Sequence, residues 1–488
     1  MTAMSPLDSA SELAAAIRAG DLSATDVVRA YLDRIDRLNP TINALVTVDV
    51  DGALSRARQA DAALAAGDLW GPLHGVPFTV KDSFETAGIR TTSSYRPLAD
   101  HIPDRDATAV ERLRQAGAIV LGKTNMPELE RDVQSMSPLF GTARNPWDLA
   151  RTPGGSTGGG AAAVSAGLTA LELGSDTAGS VRIPAHYTGV YALKPTEHRV
   201  SLAGKIPPRT DRPRGMRHLS VAGVIARSVD DLVLWLTITE GLDPRDPDTA
   251  PPAPPNPRSR PAVSRLALIE SFPGVPVDVA TRAALAALAD RLSSSGVTVE
   301  RVAPDIDWTE ALVTYAEMWG AECGLGLPGA VRTLAPVAAL VTPRREIVAR
   351  AIVRGMRFDM SGYAAALTRR DTLIRTFDAF LSRYDALLLP VTSGPAFTHR
   401  RPGLLRQPDP IEVDGQSVPY DLATLGYTAP LNALGNPVVV MPLPRPAGSL
   451  PIGVQVVGRR WDDHHLLAVA SALSATTGPF VPPAMARA

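Results

Sequence analysis

Hydrophobic positions in the first part of the chain recur at helical spacing. One helical face is formed by Val28, Leu32 and Ile35. The sequence Ser23-Ala-Thr-Asp26 resembles a capping box, with Asp in place of Glu, and predicts the start of this helix. Asn39-Pro40 predicts its end, because the residue before a proline disfavours helical backbone. Together with an Ala-rich helix from about Ala53 to Ala66, this pattern predicts a helical segment, residues 1–70, that packs on the core.

Beyond this segment, short and wholly apolar runs alternate with helical stretches. Runs of this kind, bounded by Gly, Pro or charge, predict buried strands. The predicted strands are Val76–Val80, Ala118–Gly122, Leu266–Ile269, Val297–Val302, Ala386–Pro390, Pro437–Pro442 and Pro451–Gly458. The predicted helices among them are Ala107–Ala116, Ala161–Gly167, Val277–Leu292 and one that begins at Asp462. This alternation predicts an α/β fold in which helices cover a sheet.

Proline-rich stretches mark the predicted divisions of the chain. Residues 243–261 contain eight prolines, and we interpret them as a linker or loop. They separate a core, residues 71–242, from a C-terminal part, residues 262–488, that completes the same α/β domain. Within that part, residues 303–380 predict a variable helical region that lines a pocket. The Pro- and Arg-rich stretch Lys205–Arg217 is interpreted as a surface loop with solvated charges.

Composition narrows the classes of partner. The formal net charge is −1 and 20% of residues are charged, which favours neither nucleic acid nor an anionic membrane as a partner. The sequence contains no run of 18 apolar residues and no signal-peptide pattern at its start. The single cysteine, Cys323, excludes an internal disulfide. These features predict a cytoplasmic protein, and we interpret Cys323 as structural.

Two glycine clusters, each with a serine at its centre, carry the candidate chemistry. Ser156 lies in GGSTGG and Ser180 lies in DTAGS, with an apolar run between them. Glycines allow a sharp backbone turn and a close approach to a ligand. A serine in such a turn offers a hydroxyl nucleophile beside backbone N–H groups. Those are the two requirements of acyl transfer.

A lysine is the candidate base for such a serine. The chain has only four lysines, Lys81, Lys123, Lys194 and Lys205, among 49 basic residues. Unlike arginine, a buried lysine loses its proton readily enough to act as a base. Lys81 stands at the end of a predicted buried strand. A salt-bridged lysine, paired with Asp82, is the alternative interpretation of that position.

Other local patterns compete with this interpretation. Gly154 to Gly158 fits G-x-S-x-G, the nucleophile elbow of α/β-hydrolases, which also needs a downstream Asp and a His such as His464 or His465. The sequence DDHH around these histidines also fits a solvated helix cap. The glycine loop lacks G-K-[ST], which argues against a phosphate-binding P-loop. The eight histidines show no metal-ligand spacing, so no metal is predicted.

Several long segments together resemble the amidase signature family. They are GVPFTVKD, TPGGSTGG, GSDTAGSVRIPA and LKPT, in the family's order. Further similar segments extend the resemblance from about residue 9 to residue 475. It implies the amidase signature fold, a mixed central β-sheet sandwiched between α-helices, and an amidohydrolase that cleaves a carboxylic amide C–N bond through an acyl-serine. It implies no cofactor.

The resemblance also implies roles for individual residues. Ser180 would be the nucleophile, and Ser156, joined to Gly155 by a cis peptide, would relay its proton to Lys81. The N–H groups of Thr177, Ala178, Gly179 and Ser180 would form the oxyanion hole. Asp176 and Arg182 would pair to hold the turn. Two departures from the family pattern are Thr157, in place of a commoner serine, and Ala178, in place of glycine. Ala178 fits only with a negative φ.

The substrate is less determined by the sequence. Expected substrate contacts are Gln134, Met136, Gly155, Met318, Trp319 and Tyr427. We expect a small-molecule amide, with esters and carbamates as further possibilities, and a homodimer as the family expectation. The alternative is the glutaminase subunit of a tRNA-dependent amidotransferase. The segment Arg131–Pro138 departs from the pattern expected for that subunit.

Overall fold

The computed structural model describes residues 5–207, 215–252, 263–325, 343–400 and 408–487. Fifteen strands in these ranges are numbered here in chain order. They are β1 (Leu45–Val48), β2 (Pro77–Lys81), β3 (Ile119–Thr124), β4 (Met136–Ser137), β5 (Gly141–Thr142), β6 (Leu171–Asp176), β7 (Tyr191–Lys194), β8 (Val221–Ala226), β9 (Arg265–Leu268), β10 (Thr298–Arg301), β11 (Ala386–Pro390), β12 (Ile411–Val413), β13 (Gln416–Val418), β14 (Val438–Pro442) and β15 (Gly453–Val457).

Helices fill most of the sequence between these strands. The α-helices are Ala10–Ala19, Ala24–Ile42, Val50–Ala65, Thr108–Gln115, Gly158–Ser165, Arg182–Thr188, Val229–Thr239, Val279–Ser294, Trp308–Gly324, Ile347–Gly355, Met360–Leu381, Tyr420–Leu425, Ala429–Leu434, Asp463–Thr477 and Ala484–Arg487. Short 3-10 helices occur at Arg96–Leu98 and Glu128–Glu130. Among the described residues, none of the helices combines the length and the apolar character that crossing a membrane requires.

Eleven strands form one mixed sheet. Their order across the sheet is β1-β3-β2-β6-β8-β7-β14-β15-β11-β9-β10. Strands β2, β3 and β6 are parallel neighbours near one end, and β9, β10 and β11 are parallel neighbours at the other. Antiparallel pairs join these two groups through β8, β7, β14 and β15. Strands from before and after the proline-rich residues 243–261 therefore belong to the same sheet.

Both faces of the central strands are buried under helices. In β11, Leu388 belongs to one apolar cluster, whereas Leu387 and Leu389 belong to another. In β14, Val439 and Met441 likewise face the first cluster. Successive residues of a strand point to opposite faces, so this alternation requires apolar cover on both. The predicted mixed α/β fold, a sheet sandwiched between helices, is confirmed.

Most element predictions agree with the structure to within a few residues, but one helix end was predicted wrongly. The helix Ala24–Ile42 contains Pro40 and is capped by Asn43, which has a φ of 54°. Pro40 lies in the last turn, where its missing N–H removes one bond only. The side chain of Asn39 instead binds the chain that follows, by accepting from the N–H groups of Ala44 and Leu45 at 2.8 and 2.9 Å.

Three sequence predictions fall partly outside the described residues. These are the loop Lys205–Arg217, of which residues 208–214 are not described, the linker 243–261 and the helical region 303–380. In the described part of the first, Lys205 is buried and forms an ion pair with Glu130. The prediction of solvated charge is therefore wrong for Lys205, because the Glu130 carboxylate, whose side chain is only 10% exposed, lies 2.6 Å from its ammonium group.

Candidate functional site

The two serines of the glycine clusters meet beside the end of strand β6. This strand ends at Asp176, and the chain then turns through residues 177–181 into the helix Arg182–Thr188. The N–H of Thr157, next to Ser156, donates to the carbonyl of Ser180 at 3.1 Å. Ser180 keeps 9% of its surface exposed, while Ser156 is fully buried. Of the two serines, Ser180 is therefore the one that reaches the solvent side of the site.

The loop that carries Ser156 depends on the absence of a side chain at Gly155. A Cβ there would lie 2.7–2.9 Å from backbone atoms of Asp132, Val133 and Gln134. The peptide bond between Gly155 and Ser156 is cis. A further contact comes from Ser135, whose hydroxyl donates to the carbonyl of Gly154 at 3.1 Å and accepts from the N–H of Gly158 at 3.0 Å. The segment around Ser135 therefore fixes the glycine loop from one side.

Lys81 is the end residue of β2 and is fully buried. Strand β2 runs parallel to β6, which places Lys81 next to the end of that strand. Its Nζ atom donates to Ser156 Oγ at 2.6 Å and to Ser175 Oγ at 2.8 Å. The structure thus brings Lys81, Ser156 and the backbone of Ser180 together. The alternative partner Asp82 instead accepts a hydrogen bond from Thr92.

Glu130 also contacts Lys81, and sequence reasoning missed it. Its Oε1 atom lies 2.8 Å from Lys81 Nζ and accepts from Ser175 Oγ at 2.5 Å. Its Oε2 atom accepts from Lys205 Nζ at 2.6 Å. No pattern in the sequence singles out this residue, because Glu128 and Glu130 lie close together and glutamates are mostly exposed to solvent.

The electrostatics of this cluster follow from burial and charge. Burial lowers the pKa of Lys81 from the ordinary lysine value, and the Glu130 carboxylate opposes that shift. Burial by itself would raise the pKa of Glu130, but the charges of Lys205 and Lys81 outweigh it and hold that pKa well below its usual range. Glu130 is therefore ionised, and Lys81 loses its proton more easily than an exposed lysine.

The turn that carries Ser180 is held by a buried ion pair. Two guanidinium nitrogens of Arg182 donate to the carboxylate of Asp176 at 2.9 and 3.0 Å. The other donors of Arg182 bind Thr428 O, Gln455 Oε1 and Asn432 Oδ1. Burial would raise the pKa of Asp176, but the charge of Arg182 holds it well below its usual range. The pair is thus charged, fully bonded and rigid.

Backbone N–H groups in this turn are the candidate oxyanion donors. Gly179 has a φ of 122°, and its N–H donates to Asp176 Oδ1 at 2.8 Å. The prediction that all four N–H groups face an oxyanion therefore needs correction at Gly179, because its N–H is bound to the anchoring carboxylate. Within the described residues, no acceptor is bound by the N–H of Thr177, Ala178 or Ser180. Ala178 is not among the described residues with positive φ, so its methyl group is accommodated.

An apolar wall lies beside the nucleophile turn. Ala178 packs against a cluster that contains Leu219 and Met318, and Trp319 packs against the same cluster. Met318 and Trp319 come from the helix Trp308–Gly324. Met318 is fully buried, while Trp319 is partly exposed. Both residues therefore belong to the packing beside the turn that carries Ser180, but only Trp319 keeps exposed surface.

Two other expected substrate contacts have their polar groups engaged elsewhere. The side-chain amide of Gln134 is bound to the backbone of Arg400, with both its donor and its acceptor at 2.8 Å. The ring of Tyr427 stacks on Phe272, with centroids 4.8 Å apart, and its hydroxyl donates to the carbonyl of Val275. Both side chains are fully buried. Their polar groups are thus committed to the protein's own backbone.

Met136 occupies a different kind of position. It lies half-buried in the short hairpin of β4 and β5, where it pairs with Thr142. The hairpin follows directly after Gln134 and Ser135. Met136 is therefore placed next to the segment that fixes the glycine loop.

The histidines that the alternative interpretations require make contacts elsewhere in the structure. His464 Nε2 lies 2.8 Å from a carboxylate oxygen of Glu240, so this histidine is paired away from both serines. The ligand atoms of Glu197, His198 and His218 lie within 4.8 Å of one another, a spacing that a metal ion would accept. The carboxylate of Glu197, however, is already bound by Arg370. We assign Glu197 a structural role at the end of this ion pair.

Comparisons with known proteins agree with this geometry. A family model described as Amidase matches residues 26–467. The A subunit of the glutamyl-tRNA(Gln) amidotransferase from Salinispora tropica is 35% identical over 509 residues, which cover 98% of this chain and 99% of the relative. A solved 6-aminohexanoate cyclic dimer hydrolase with bound substrate superposes with a TM-score of 0.81 and 27% identity, covering 99% of this chain and 100% of that one. A structure described as a vestigial protein complex that reveals the origins of an s-triazine catabolic enzyme gives a TM-score of 0.81 and 28% identity, with coverage of 97% and 99%.

Proposed function

This chain belongs to the amidase signature family and is an amidohydrolase that cleaves C–N bonds of small amides; we propose that Ser180 is its nucleophile and that Ser156 and Lys81 move the proton. The observation that carries this proposal is the contact of Lys81 Nζ with Ser156 Oγ at 2.6 Å, beside the backbone of Ser180. A lysine whose pKa is lowered by burial, next to a hydroxyl, is a base of the kind that acyl transfer needs.

The proposed reaction has two halves. Ser180 Oγ attacks the amide carbon, its proton passes to Ser156 Oγ, and the proton of Ser156 passes to the neutral amine of Lys81. The C–N bond breaks as Lys81 returns a proton through Ser156 to the leaving nitrogen. A water then attacks the acyl-serine by the same relay and releases the acid. The N–H groups of Thr177, Ala178 and Ser180 stabilise the oxyanion, at roughly 3–4 kcal/mol for a donor of this kind.

We infer that the substrate presents an apolar group to the partly exposed side chains of Ala178 and Trp319, which pack against the buried cluster of Leu219 and Met318. Ala178, which is part of this wall, lies two positions before the nucleophile. Free glutamine would instead need a cation for its carboxylate and an anion for its ammonium group at the same place. This supports a stand-alone amidase. Esters and carbamates are further proposed substrates, since each forms an acyl-serine.

The second candidate is the glutaminase subunit of an amidotransferase. It is favoured by the 35% identity, over 98% of the chain, to a relative that bears that name. The apolar wall favours the stand-alone enzyme, and the segment Arg131–Pro138 departs from the pattern expected of the subunit.

Other features of the proposal concern organisation and setting. The shared sheet supports one catalytic domain built from residues 71–242 and 262–488, with 243–261 as a connecting loop. The segment 1–70 is more than a helical layer packed on this domain, because its strand β1 pairs with β3 at the edge of the same sheet. The net charge of −1 supports an enzyme that needs neither nucleic acid nor a membrane. The single cysteine supports a cytoplasmic setting. A homodimer completes the proposal.

The test uses purified protein alone, with Ser180→Ala as its control. Amine or ammonia release is followed from aryl amides, primary amides, glutamine and an aryl carbamate. We expect release from amides with an apolar acyl or leaving group, and its loss in the variant. Turnover of glutamine alone, or activity that appears only after cell extract is added, would instead identify the partner-dependent subunit.

A further inference from the structure

Glu130 occupies a position that the proposed reaction does not by itself require. Its two carboxylate oxygens contact four side chains, which are Lys81, Ser175, Ser83 and Lys205. Three of the four come from the two strands that frame the site or from the residues directly after them. A single carboxylate therefore links the base at the end of β2 to the end of β6 and to the loop of Lys205.

The backbone holds Glu130 there at a cost. Leu129 and Glu130 have φ values of 50° and 63°, so two successive non-glycine residues are left-handed. Such residues cost on the order of 1–3 kcal/mol each and persist where the surroundings enforce them. Ser93, itself at a φ of 51°, accepts a hydrogen bond from the N–H of Leu129 at 3.0 Å. Two strained loops thus brace each other and direct the carboxylate inward.

The hydrogen bonds around Lys81 show how the Glu130 carboxylate orients its amine. Ser175 has one hydroxyl hydrogen, and it donates that hydrogen to Glu130 Oε1 at 2.5 Å. Ser175 must therefore accept from Lys81, so one N–H of Lys81 is committed to Ser175. Ionised Glu130 is an acceptor only, so it too faces an N–H of the amine. The lone pair of neutral Lys81 is left to point at Ser156.

We propose that Glu130 is a positioning residue which, balanced by Lys205, directs the lone pair of Lys81 to Ser156 and sets the pH above which the relay works. This inference rests on the proposed roles of Ser180, Ser156 and Lys81. Glu130 favours the charged ammonium of Lys81 by attraction. Lys205 offsets this, because it shares the same carboxylate and repels a second positive charge.

Other charges also face Lys81, and they bear on the test. Asp176, at the end of β6, favours the charged form of Lys81. Glu172, also on β6, is buried, and its pKa is raised to about 7 by that burial. Both groups are unchanged in variants of Glu130 and Lys205. Neither group can therefore explain a rising limb that moves to lower pH in one variant and to higher pH in the other.

The experiment follows the labelling of Ser180 by a fluorescent fluorophosphonate, which reports the activation of the serine without knowledge of the substrate. The second-order labelling rate is measured from pH 5 to pH 10 for the wild type, Glu130→Gln and Lys205→Met. We expect the rate to rise with pH as Lys81 loses its proton. In Glu130→Gln the rising limb moves to lower pH by about 1 to 3 units, because an attractive charge is removed. In Lys205→Met it moves to higher pH.

Ser83→Ala is the matched control, because it removes a hydroxyl from Glu130 Oε1 without changing a charge. Its limb stays at the wild-type pH. Limbs that coincide in all variants, or that move in the same direction in Glu130→Gln and Lys205→Met, would overturn the inference. Labelling that persists in Ser180→Ala, or that keeps its wild-type rate in Lys81→Met, would instead overturn the proposed function. Because the two charge variants carry independent predictions of opposite sign, one that fails to fold leaves the other as a test.

Discussion

Two buried charge clusters lie at the end of strand β6, and they differ in whether their protons are able to move. The first, here called the anchor cluster, consists of Asp176, Arg182, Asn432 and Gln455. The second, the base cluster, consists of Lys81, Glu130, Ser175 and Lys205. Ser175 and Asp176 are successive residues of the strand, so the strand presents one cluster to each of its faces.

In the anchor cluster every hydrogen-bonding group has a fixed direction. All five donors of a guanidinium stay protonated, and Arg182 uses them on Asp176, Thr428, Gln455 and Asn432. In the base cluster, Lys81 meets hydroxyl groups that both donate and accept. The difference shows how one strand end supports both a rigid nucleophile turn and a mobile proton.

The largest difference between the two clusters is expected when Lys81 of the base cluster is substituted. Lys81→Met removes the base but leaves Glu130 neutralised by Lys205, so we expect turnover to fall roughly 10⁴- to 10⁶-fold, as for other residues of a catalytic unit. The free energy of unfolding should stay close to the wild-type value although turnover is lost. Steady-state rates and urea unfolding on the same preparation measure both. Turnover above about 1% of wild type would be too high for the loss of a catalytic base and would contradict this role.

The anchor cluster should respond in the opposite way. Arg182→Met leaves the Asp176 carboxylate buried without its partner, and we expect the unfolding free energy to fall by about 3–5 kcal/mol. Arg29→Met is the control, because Arg29 pairs with Asp26 at 3.0 Å on the surface. The control should change stability by less than about 1 kcal/mol. Loss of turnover in Arg182→Met with unchanged stability would instead indicate that Arg182 takes part in the reaction.

A smaller effect tests the boundary between the clusters. Thr157 is fully buried beside Ser156, and its hydroxyl donates to the carbonyl of Ser175 at 3.4 Å. Thr157→Ser keeps that hydroxyl and removes one methyl group, so we expect the unfolding free energy to fall by about 1 kcal/mol. Turnover should stay at the wild-type level. A large loss of turnover, measured beside urea unfolding, would show that Thr157 belongs with the base cluster.

Local sequence signals predicted most of the fold. Apolar runs such as Ala386–Pro390 predicted strands correctly, because a strand buried on both faces needs no polar alternation. The end of the helix Ala24–Ile42 was missed, since a proline in the last turn removes only one hydrogen bond. The site residues Lys81, Ser156 and Ser180 were found through the resemblance of long motifs to a family. Periodicity alone singles out none of the three.

Other parts of the site were beyond local reasoning. Lys205 was predicted as solvated, and Glu130 was not predicted at all. Their ion pair joins residues 75 positions apart, so it depends on how two loops are brought together by the sheet. Gln134 and Tyr427 were expected to face a substrate. Their polar groups are instead bound to the backbones of Arg400 and Val275, contacts that only the assembled fold creates.

Apart from the family resemblance, which identified Lys81 as the base, the sequence by itself determined the alternating elements and the two glycine-bounded serines. These follow from residue type and spacing, which act over a few positions. The tertiary structure alone decided which carboxylate meets Lys81, which N–H group of the turn is already bound and which apolar side chains pack against that turn. The physical reason is that the charge, burial and hydrogen bonding of a side chain depend on neighbours that are distant in sequence.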